Sequence, residues 1–136
     1  MKKYLPYLLL LVLAGVFLGY KLWNKPHEDM LLANSDIAFE ATKLFSEFDT
    51  DELTANTAYL DKVILITGTV VSSSKDDNGQ VKIMLESGDP MFGVICELDT
   101  HSSHKRTDFT PGESITLKGK CTGKLMDVVL VRCVEI

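Results

Sequence analysis

In this 136-residue chain, reactive chemistry would have to come from three cysteines and a pair of neighbouring histidines. Cys96, Cys121 and Cys133 lack a C-x-x-C pair, which argues against a thioredoxin-like redox role. In an oxidising compartment two could bridge, but three is odd, so one stays free or pairs between molecules. If the last two β-strands form a hairpin turning near Lys124, Cys121 and Cys133 fall roughly six residues out of register, on the order of 20 Å, beyond a bridge's reach. Cys96 and Cys133 are the pair that could meet. The simpler expectation is three buried thiols acting as small apolar groups.

His101 and His104 form H-x-x-H, with Glu97 or Asp99 as the nearest further ligands. A tetrahedral site needs more donors than one loop supplies, and Lys105 and Arg106 adjoin it, so a solvated loop without metal or cofactor is expected. Ser102 and Ser103 sit beside these histidines but have neither a strand-to-helix elbow nor an oxyanion motif, and no catalytic residue is assigned. Ser74–Gly79 (SKDDNG) distantly resembles a calcium loop. Leu85 stands where the bidentate Glu belongs, and Asn78-Gly79 reads instead as a hairpin turn. The sequence therefore points to binding and not catalysis. Met84, Ile95, Lys124, Leu125 and Met126 are the candidate ligand-binding residues, because the strand phase leaves their apolar side chains partly exposed and Lys124 gives a locally basic edge.

These residues lie on elements readable from periodicity. Five β-patterned runs follow residue 62: Val63–Val71 with central Gly68, Val81–Leu85, Phe92–Leu98, Ile115–Lys118 and Val128–Cys133. The longest connection, Asp99–Gly112, separates the third from the fourth. Five strands so spaced predict a mainly β fold, a five-stranded OB-fold Greek-key barrel, with Gly68 bending the first strand to serve both halves. Val94, Leu117 and Val131 are expected to point inward. Upstream, residues 35–61 predict one or two short helices. Ser35 caps the first, with Asp36 in its first turn; Asp51 opens a second whose face carries Leu53, Thr57 and Leu60.

Residues 4–20 (YLPYLLLLVLAGVFLGY) carry no charge, follow Lys2 and Lys3, and have Tyr4, Tyr7, Tyr20 and Trp23 at their ends. With Leu22 and Trp23 the stretch approaches the roughly 20 residues that cross a bilayer. No A-x-A site follows, so an uncleaved anchor is favoured over a signal peptide, and no cysteine precedes Cys96 to accept a lipid. The expected division is an anchor over 1–25, a juxtamembrane linker over 26–34 broken by Pro26, the helical lead-in over 35–61 and the barrel over 62–136. A three-residue head and an acidic domain favour a single-pass protein with its domain in the periplasm or outside the cell.

Net charge is −5, yet residues 26–136 hold ten cations against all nineteen acids, a net of −9. Such a domain repels phosphate backbones at long range. The outward positions of the second and third strands (Lys82, Met84, Glu86, Gly93, Ile95, Glu97) offer no aromatic platform, so the expected ligand of this non-enzymatic envelope module is a protein, a peptide or a small molecule and not nucleic acid. The alternatives are an oligonucleotide-binding domain, on fold grounds, or a metal- or redox-responsive accessory protein resting on the histidines and cysteines.

Several motifs together resemble one family. An Asp51-Glu52, Ala55, Tyr59 segment precedes a G-T-V first strand (Gly68–Val70). V-I-C-E-L follows at Val94–Leu98, P-G-E-S-I-T-L-K-G-K-C at Pro111–Cys121 and V-V-L-V-R-C-V-E-I at Val128–Ile136. Over residues 35–136 the chain resembles the tRNA_anti-like family of small bacterial OB-fold proteins. The resemblance implies an OB barrel akin to anticodon-binding domains. It carries over no catalytic residue.

Overall fold

The computed structural model describes residues 3–24, 29–35 and 37–136. Pro26 and Asp36, read above as a helix breaker and a helix-start charge, lie outside these residues, as do Lys2 and Lys25. The first element is α1 (Leu5–Trp23), 19 residues with mean hydropathy 1.9 and every side chain exposed. It is long and apolar enough to cross a membrane.

β1 (Ile37–Glu40), α2 (Ala41–Thr50) and α3 (Glu52–Tyr59) precede the barrel strands β2 (Val63–Lys75), β3 (Val81–Leu85), β4 (Val94–Leu98), β5 (Ser114–Lys124) and β6 (Val128–Glu135). The sheet order β1-β2-β3-β4-β6-β5 closes through a β2–β5 pairing. β4 and β6 run parallel, while β2–β3, β3–β4, β5–β6 and β2–β5 are antiparallel. This is the closed five-stranded barrel expected from the sequence, with β1 added at an edge.

Residues 37–40 depart from the expected helix. They pair parallel with β2, Ile37 opposite Ile64 and Glu40 opposite Thr67. β2 meets β3 only from Val70 onward, which leaves residues 64–67 with open ladder groups on that side. β1 fills the gap, and an unpaired edge outweighs local helical spacing. The helix therefore starts at Ala41, and Ala41, Leu44, Phe45 and Phe48 bury its inner face. Asp51 does open the second helix: its carboxylate accepts from the Thr54 N–H and Thr54 Oγ1. These donors hold its carboxyl below the usual range. The buried face differs from the one expected, however. Ala55 is buried while Leu53 and Leu60 are exposed.

Gly68 works differently from the bend assigned to it. A Cβ there would stand 2.9 Å from Ala41 Cβ, so glycine admits α2 against the sheet. The irregularity of β2 falls between Val70 and Ser72, where the strand changes partner, and Ser72–Lys75 continue it as strand and not turn. β6 contains a second correction. Arg132 has φ 55°, and the register with β4 shifts between Leu98 and Cys96. That bulge places Leu130 and Cys133 in the core and leaves Val131 half-exposed, whereas Val94 and Leu117 point inward as expected.

The described part of the expected 26–34 linker, from Asp29 on, packs against the barrel. Among its described residues, Asp29 accepts from the Leu31 N–H, Met30 is buried, and Lys118 Nζ donates to the carbonyls of Leu31 (3.0 Å) and Ala33 (2.8 Å). The chain is thus fastened to β5 before β1 begins.

Candidate functional site

The outward faces of β3 and β4 are set by strict alternation. Val81, Ile83, Leu85, Val94, Cys96 and Leu98 go to the core, which turns Lys82, Met84, Ile95 and Glu97 outward. Met84 lies directly opposite Ile95, and Ile95 opposite Val129 of β6, so three half-buried apolar side chains cross the sheet in one row. One row further, Lys82 pairs with Glu97 at 3.3 Å.

Two turns flank this row. Gly93 N–H donates to Asp127 Oδ1 at 2.7 Å and Val128 N–H to the Gly93 carbonyl, so the β3–β4 turn adjoins the tip of the β5–β6 hairpin. Leu125 and Met126 are exposed at that tip. In the β3–β4 turn, Asp89 accepts from the Met91 and Phe92 amides, which hold its carboxyl below the usual range and fix Met91 in an exposed position. Met91 escaped the sequence reading because it sits in a turn outside any strand phase. An apolar residue between Pro90 and Phe92 was the signal available.

Lys124 does not form the basic edge assigned to it. Its ammonium bonds Asp49 at 2.8 Å and lies 4.6 Å from the centre of the Phe45 ring, joining the hairpin to α2. The structure therefore brings Met84, Ile95, Leu125 and Met126 to one end of the barrel, adds Met91, and ties Lys124 internally. α2 and α3 pack on β2, β5 and β6 and leave Leu125 and Met126 uncovered.

The residues considered for chemistry are otherwise engaged. Cys96, Cys121 and Cys133 are buried free thiols. Cys121 pairs with Leu130, three residues from Cys133 and not the six expected, because β5 and β6 pair with register shifts. Cys96 and Cys133 adjoin, and burial followed by the neighbouring Cys96 pushes the Cys133 thiol well up, away from thiolate. The His104 ring bonds the Asp99 carbonyl, and Ser102 Oγ donates to Asp99. Burial raises the Asp99 carboxyl, but Ser102 and the His101 amide outweigh it, so the net shift is downward. Among the described residues no three His, Cys, Asp or Glu gather to hold a metal. Of Ser74–Gly79, Ser74 and Lys75 end β2 and the rest forms a turn: Asp76 accepts from the Asn78 and Gln80 amides, and Gly79 takes φ 83°.

The long 99–113 connection is held by Arg106, which the sequence marks only as a cation beside the histidines. Its guanidinium bonds both carboxylate oxygens of Glu135 and of Glu113 and lies over the Phe109 ring at 4.5 Å.

The family match covers residues 1–135. The chain belongs to the tRNA_anti-like family. The match takes in the α1 region as well as the barrel motifs, a wider span than the motifs alone suggest. Among solved structures, the chain is similar to a Klebsiella pneumoniae subsp. pneumoniae protein described as a "putative nucleic acid-binding lipoprotein". The TM-score is 0.57 at 14% identity, covering 82% of this chain and 99% of the other, a likeness of fold. No curated protein matches the chain significantly.

Proposed function

We infer that this tRNA_anti-like protein is a membrane-tethered binding module of the cell envelope, without catalytic activity, that recognises a polypeptide through its Met84–Ile95 face. The observation that carries this reading is the in-register Met84–Ile95 pair bordered by two turns that hold Met91, Leu125 and Met126 exposed. An adaptable, methionine-rich surface with fixed backbone suits an apolar segment of another protein. The tether is α1, which serves in place of a lipid, since the first cysteine of the chain is Cys96. The acidic domain is placed outside the cytoplasm.

A single-stranded nucleic acid is the second reading, favoured by the barrel type and by the description of the Klebsiella protein. Against it stand an outward face whose Lys82 is paired with Glu97, the lack of an outward ring on β3 or β4, and the charge of −9. The test is capture by the full-length protein with and without the double substitution Met84→Asp, Met126→Asp. Both side chains lie outside the core, so the fold should persist while polypeptide capture is lost. Salt-sensitive retention of single-stranded RNA or DNA by the unsubstituted protein would support the second reading instead.

A further inference from the structure

At the other end of the barrel lies a second apolar surface, made by the fastened 29–33 segment and the end of β6. Leu31 and Leu32 are 46% and 83% exposed, and Ile136 is 62% exposed. Leu31, Val134 and Ile136 share a cleft of about 380 Å³ with His104, Lys105 and Arg106. Arg106 is paired with both Glu135 and Glu113 and offsets one of their two negative charges, and Lys105 at the same cleft offsets the other. In a domain of net −9, this locally balanced apolar end repels an anionic surface less than the net charge alone implies.

Chain length fixes what this surface can reach. α1 ends at Trp23, and the next fastened residue is Asp29, held through Met30 burial and the Lys118 bonds. Five Cα–Cα steps from Asn24 to Asp29 span at most about 18 Å. If α1 crosses the bilayer, Trp23 and Asn24 sit at its interface, and the 29–33 edge of the barrel stands within that distance of the headgroups. From Lys118 to Lys124, β5 runs about 20 Å away from this edge, to the tip that carries Leu125 and Met126.

We propose that Leu31, Leu32, Ile136 and the Lys105-lined cleft dock onto the phospholipid headgroup layer of the membrane that anchors the chain, turning the Met84–Met126 face outward. The inference rests on the anchor reading made above. Docking turns a tethered barrel into an oriented one, because one apolar edge and one short chain segment fix its lower end while the recognition face points to solution.

The experiment uses full-length protein in vesicles of phosphatidylcholine with phosphatidylglycerol. Leu32→Cys, or Leu125→Cys as the distal reference, carries an environment-sensitive fluorophore; the three native thiols are buried and stay unlabelled in the folded protein. The expected result is a blue-shifted emission at position 32, quenched by headgroup-labelled lipid, with neither effect at 125. Adding Leu31→Asp should remove both effects while the protein stays in the vesicles. A probe at 32 as exposed as the one at 125, in protein that resists alkaline extraction, would overturn the docking and leave the anchor intact. Release of the protein by alkaline extraction would overturn both.

Discussion

At Lys118 a strand position that alternation assigns to solvent instead holds a buried ammonium between two backbone carbonyls. Sequence could not reveal this, because the partners are 85 and 87 residues away and offer only main-chain oxygens. Lys118→Met keeps the stem's packing but strips both carbonyls of their donor. The expected cost is about 1–3 kcal/mol in chemical denaturation, with faster amide exchange confined to residues 30–33. Unchanged exchange there would mean the segment is held by Met30 alone. Arg106 raises a matching question of pH. Arg106, then the Thr110 amide, hold the Glu113 carboxyl below the usual range. A depressed carboxyl stabilises fully above its unfolded value of about 4.3, and that contribution is lost as pH falls through the lower folded value. Acidification below about pH 4 should therefore loosen residues 105–110 before the barrel melts, as read by amide exchange. Loosening on alkalinisation instead would contradict the pairing.

The barrel strands were legible because each buries one face, so apolar residues alternate with polar ones as in Val81–Leu85 and Val94–Leu98. What alternation cannot express is a change of partner or phase. β1 is a strand because β2 has an open edge, a fact about a segment more than twenty residues downstream. The Arg132 bulge likewise exchanges Val131 for Leu130 in the core. The exchange has a measurable consequence: Leu130→Ala should cost about 2–5 kcal/mol in denaturation, and Val131→Ala clearly less. Equal losses would place the bulge elsewhere. The candidate face was legible in Met84, Ile95, Leu125 and Met126, which follow from strand phase and hairpin position. Lys124 was not, since its tie to Asp49 and Phe45 depends on where α2 packs.

At the scale of the whole molecule, an apolar helix, a fastened segment and a closed barrel stand in series, with the Met84–Ile95 face and the Leu31–Ile136 edge at opposite ends of β5. The proposed polypeptide ligand rests on the apolar Met84–Ile95 row of an acidic barrel, and the nucleic-acid reading rests on the barrel type. The most direct measurement is photocrosslinking from a reactive residue at position 126, compared with one at position 77, in full-length protein within its native membrane. The account predicts adducts at 126 and not at 77 that protease destroys and nuclease leaves intact, and that vanish when Met84→Asp is added. Nuclease-sensitive adducts, or equal labelling at the two positions, would contradict it.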